Sequence, residues 1–201
     1  MQMRPWKLWG KDEKDCETLE IKSVLELALM NWPEHPGLCH LYVHLMEMSS
    51  EPECALKACE TLRKLWSQQF GHLAHMPSHI DMQVGAYEKA IISNKIGIRA
   101  DLELLKIRSI DEFYFGYLAH NYHMCSWAAM FDGQYAKAIK AATELEKITP
   151  ESLIQAWHPD LESYVAVKWH VWIRFGRWQK ILQESLRTDE KYFSVNICLG
   201  L

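Results

Sequence analysis

The chain is short of everything that interrupts regular structure. It has nine glycines and seven prolines in 201 residues and no low-complexity stretch, which excludes a linker-rich or disordered protein. No apolar run approaches the roughly 20 residues of a membrane span, so a soluble protein with no membrane partner and no visible targeting segment is expected. Lysine and arginine form no stripe that would neutralise phosphates and the formal charge is only −4, so nucleic acid is a poor partner. The six cysteines, Cys16, Cys39, Cys54, Cys59, Cys125 and Cys198, include no C-x-x-C pair. Reduced, mostly buried thiols and a cytoplasmic location follow as the default.

What remains is 49% hydrophobic and periodic. Three strings share one form, a glycine, any residue, an aromatic, and a small or aliphatic residue three further on: GAYEKA from Gly85, GQYAKA from Gly133 and GRWQKI from Gly176. A helical run precedes each and an amphipathic run follows, as in AIKAATELEKITP, where Pro150 marks the stop. This is the helix-turn-helix signature of the tetratricopeptide repeat, whose period is near 34 residues. A weaker first unit has Ser50 and Pro52 in place of the glycine and the aromatic. Spacings of 35, 48 and 43 residues between anchors imply insertions near residues 102–111 and 150–158.

The expected fold is therefore all-α, a right-handed superhelix of antiparallel helix pairs in a single domain over residues 1–201. Its repeats are read at about 36–68, 71–101, 112–149 and 159–188, after a partial repeat at 15–32. That leading helix lacks a partner, so either a longer array precedes it or residues 1–20 improvise a cap, with Trp6 and Trp9 covering its apolar stripe. The final KYFSVNICLGL carries no pattern.

Counted back from each anchor, offsets of 13, 10 and 6 residues are repeatedly histidine. They are Gly37, His40 and His44; His72, His75 and His79; His120, His123 and Trp127; and Ser163, Ala166 and His170. Eight of twelve positions are histidine in a chain with ten, where scatter predicts fewer than one. The anchor strings themselves contain no histidine. Three- and four-residue steps stack side chains on one helical face. Met82 and Met130 follow one turn on, and Glu47 stands beside the first set.

The strings HPGLCHLYVH (35–44), GHLAHMPSHI (71–80), AHNYHM (119–124) and WIRFGRW (172–178) resemble those of a mostly bacterial family of tetratricopeptide-domain proteins of unassigned function. Its motifs have the form HPG-x-x-H-x-x-x-H, GHL-x-HMP-x-HI and HN-x-H, and the resemblance covers roughly residues 3–183. It implies that the histidines belong to the family, and that the stripe faces the concave groove where such arrays bind.

Two functions follow. In one, a peptide, protein or small molecule lies in a groove lined by His72, Trp127, Glu47, Met82 and Met130. No lysine or arginine stands among the twelve positions, which argues against the carboxylate clamp of chaperone-binding relatives. In the other, His40, His44, His75, His79, His120, His123 and His170 hold iron, copper or zinc, in a binuclear or a three-to-four-histidine mononuclear site, as metalloprotein or metalloenzyme. Glu47 and Asp81 are carboxylates that would complete a shell, although Asp81 lies off the stripe. HLYVH has leucine where a metalloprotease needs its glutamate, and Cys125 lies on the packing side, so neither chemistry is expected. His35 and His158, each followed by proline, read as turn residues. Pro77 is the difficulty: if a helix begins there, His72 and His75 fall on a preceding loop.

Overall fold

The computed structural model describes residues 8–9, 16–66, 70–107, 112–150, 152–153, 164 and 166–184. Trp6, His158, Ser163 and Cys198, and most of the insertion expected at 150–158, lie outside them. Every regular element among the described residues is helical. None of these helices is long and apolar enough to cross a membrane. The chain divides into two compact units, Met1–Ile107 and Arg108–Leu201.

In the first unit the order is α1 (Cys16–Asn31), α2 (Pro36–Met46), a 3-10 turn (Pro52–Ala55), α3 (Leu56–Leu65), α4 (Gly71–His75), α5 (Pro77–Gln83) and α6 (Tyr87–Ile107). His35 starts α2 as its N-cap: Nδ1 accepts from the Leu38 amide at 3.2 Å, and Pro36 fills the first turn, where its missing N–H costs nothing. Along α2 the buried residues Cys39, Tyr42, Val43 and Met46 recur at helical spacing, and they meet Ala58, Cys59 and Leu62 of α3 together with Met76 and Ile80. Helix α6 packs on both α4 and α5. It continues through residues 102–107, so that much of the expected insertion is extra helix.

Helix α1 packs on α2 and leaves Val24, Leu27 and Met30 exposed. Trp9 joins the core cluster and its Nε1 donates to the Leu45 carbonyl at 2.6 Å, while Thr18 Oγ1 donates to the Leu8 carbonyl. Trp9 thus sits against α2, while the α1 stripe it is expected to cover stays exposed.

The second unit comprises α7 (Glu112–Phe131), α8 (Tyr135–Ile148), α9 (Val167–Arg174) and α10 (Trp178–Gln183). Helix α9 packs on both α7 and α8, and Lys168 ties it to Glu146 at 2.9 Å.

The three anchor glycines do the same job. Gly85, Gly133 and Gly176 have φ of 75°, 71° and 62°, the left-handed region that ends a helix. After each, the next residue's amide closes a six-residue loop: Ala86 to the Asp81 carbonyl, Gln134 to Ala129, Arg177 to Trp172. The chain then turns back into the following helix.

Gly133→Ala should lower stability by about 1–2 kcal/mol, the cost of a left-handed Cβ residue. Gly116→Ala should raise it by about 0.5–1 kcal/mol, because Gly116 sits inside α7 with nothing within 4 Å of an added Cβ. Denaturant titration of the two variants checks the pair, and equal shifts would contradict the turn assignment.

Candidate metal centre

Beside its core face α2 carries His40 and His44, and Glu47 caps its end, all three half-buried. The facing side chains come from the α4–α5 stretch, and Pro77 does not break it as feared. Helix α5 does begin at Pro77, yet the residues before it are helical and not a loop, and Met76 joins the two helices with φ −48° and ψ −41°. The Met76 amide still reaches the His72 carbonyl at 3.1 Å. The proline removes the donor for the Leu73 carbonyl, and just beyond it the His79 amide reaches back only to the Met76 carbonyl, at 3.2 Å. His72, His75 and His79 therefore remain on one side.

Five imidazoles gather there. His72 Nε2 lies 3.1 Å from His40 Nε2, and His75 Nε2 lies 2.8 Å from His79 Nε2. Ring centroids are 4.8 Å apart for His40 and His44, 5.2 Å for His44 and His79, and 6.0 Å for His72 and His75. Ligand atoms of His40, His44 and His72 all lie within 4.8 Å of one another, as do those of His44, Glu47 and His79. Such a cluster can hold a metal ion.

Glu47 orders the set. Its Oε1 accepts from His44 Nδ1 at 2.8 Å and its Oε2 from His79 Nδ1 at 2.5 Å. Burial opposes the charge, but the bonds from His44 and His79 win and hold its carboxyl down to about 2. With the Nδ1 protons fixed on the carboxylate, both rings turn Nε2 lone pairs inward, as metal-bound histidines do. His75 is fixed by other means. Asn94 Nδ2 donates to the Ala90 carbonyl at 2.9 Å, which aims Asn94 Oδ1 at His75 Nδ1, 2.7 Å away. An amide oxygen only accepts, so His75 also carries its proton on Nδ1. His40 is pushed down to about 4 by burial first, then by its neighbours His44 and His79, and so stands neutral with a lone pair to offer.

The other expected residues have varied surroundings. Asp81 is buried and bound to Arg63, which occupies the carboxylate that sequence offered as a shell ligand. Met82 is half-buried one turn beyond His79, and Met130, expected in the groove row, is a core residue at 5% exposure. In the second unit His120 is half-buried on α7, His170 is exposed on α9, and Trp127 is 39% exposed. His123 meets the rings of Trp127 and Tyr164 edge-on, at 5.9 and 5.4 Å. Cys125 is buried, as its packing-side offset implied. Sequence reading missed Asn94, which stands on the second helix of its hairpin, outside the offset rule, and has no signal of its own.

No family model, curated protein or solved structure matches the chain. The site must therefore be read from its own chemistry.

One consequence concerns His123. Burial first, then the nearby His170, push its imidazole down from the ordinary 6.5 to about 4. Between those values the unfolded chain binds the proton and the folded one does not, so stability held above pH 6.5 is lost as pH falls towards 4. The thermal midpoint should drop across that window, and less steeply in His123→Gln; an unchanged slope would contradict the assignment.

Proposed function

We propose that the protein is a tetratricopeptide-like helical repeat that binds a first-row transition metal through His40, His44 and His72. The observation that carries this is the convergence of their ligand atoms within 4.8 Å from two consecutive helical hairpins. Support comes from Glu47, which holds His44 by its outer nitrogen in the way carboxylates hold zinc-bound histidines. The helix order supports the repeat reading: α2, α5 and α9 each pack on the helix just before their own hairpin, and the three glycine turns recur. An all-imidazole shell suits zinc, copper or iron.

A ligand-binding groove has one observation in its favour. Trp127 and Phe131 are exposed side by side on α7, with centroids 5.8 Å apart, and offer a flat aromatic face to a peptide or small molecule. It is the second reading, because it rests on two rings, whereas three ligand atoms come together at the histidine cluster.

Protein purified without a histidine tag should carry at least about one equivalent of metal by elemental analysis, as a three-histidine site requires. His40→Ala combined with His72→Ala should lose it while retaining helical circular dichroism. Glu47→Gln can accept from only one of the two imidazoles, so it should weaken metal binding by about 10–100-fold and leave the stoichiometry intact. Background metal in the wild-type protein after reconstitution with zinc would overturn the proposal.

A further inference from the structure

We infer that a second cation lies between His75 Nε2 and His79 Nε2, so that the first unit holds two neighbouring metal ions. The inference rests on the reading above for its neighbour, but a different observation carries it. Both rings are fixed from their far sides, His75 by Asn94 Oδ1 at 2.7 Å and His79 by Glu47 Oε2 at 2.5 Å. Each far nitrogen is a donor to an atom that only accepts. With both rings neutral, the two inner nitrogens bear lone pairs, and these point at each other across 2.8 Å.

Two lone pairs at that distance repel unless positive charge stands between them. Nor can the rings relieve the clash by exchanging tautomers. A flipped His75 would set its bare Nδ1 against the Asn94 oxygen, whose amide is itself locked by the Ala90 carbonyl at 2.9 Å. A flipped His79 would set lone pairs against a buried carboxylate. An ion answers the problem: two imidazoles on one ion at bonds of about 2.0–2.1 Å hold their nitrogens roughly 3.0–3.4 Å apart. A parting of a few tenths of an ångström admits it.

The second ion is adjacent to the first. His79 is 5.2 Å from His44 and His75 is 6.0 Å from His72, centroid to centroid, so the pairs face each other across a ring's width. His75 and His79 would give the second ion two nitrogens, and further ligands would complete its shell as in two-metal centres.

The test is a titration of chelator-stripped protein with cobalt(II), followed by its visible absorption. The expected result is two equivalents in the wild type, one of them lost in His79→Gln with the other retained. Because a substitution in the cluster can disturb folding, copper-loaded wild-type protein supplies a second readout. Two coupled ions should give an integrated electron paramagnetic resonance signal below the total copper. One equivalent with a full-intensity, uncoupled signal would mean that a proton fills the gap, which overturns the second ion and leaves the first site standing. No bound cobalt at all would overturn both.

Discussion

Glu47 uses both oxygens on imidazoles from different helices, His44 of α2 and His79 of α5, and the rest of the centre depends on that double attachment. It ties two hairpins together at the same point where it sets two tautomers. A carboxylate among five imidazoles is also the only negative charge in the network described, which is why its carboxyl falls to about 2 against the cost of burial. Remove the charge and His44 and His79 are free to turn their protons inward. Without those inward lone pairs the cluster is a stack of rings with no common purpose.

The scaffold was legible because its anchors are governed by backbone conformation. A glycine before an aromatic marks a left-handed turn, and all three such glycines have positive φ. Spacing then dictated that His40 and His44, and His75 and His79, share faces, because residues four apart stack at 3.6 residues per turn. Pro77 could not be settled in advance. Whether proline ends a helix or begins the next turn of a bent one depends on the residue before it, and Met76 takes helical angles. Asp81 was undecidable for a similar reason, since its partner Arg63 lies on another helix. Asn94 had no signal, because a side chain that fixes a tautomer needs no periodic place.

The two units use the pattern differently. In the first, every position of the second repeat is histidine and the rings gather. In the second, Trp127, Ser163 and Ala166 stand at three of the six positions, and His123 is flanked by aromatic rings and kept neutral. The histidine stripe thus becomes a polar cluster at one hairpin pair and an aromatic face at another. Successive helical hairpins allow this, because each contributes its own side chains.

The most direct measurement is a long-range proton–nitrogen correlation spectrum of the imidazole rings in zinc-loaded protein near pH 8. The account predicts that His44, His75 and His79 carry their protons on Nδ1, with Nε2 shifted by the metal. Protons found on Nε2 of these three rings would contradict it, for the lone pairs would then point away from any ion.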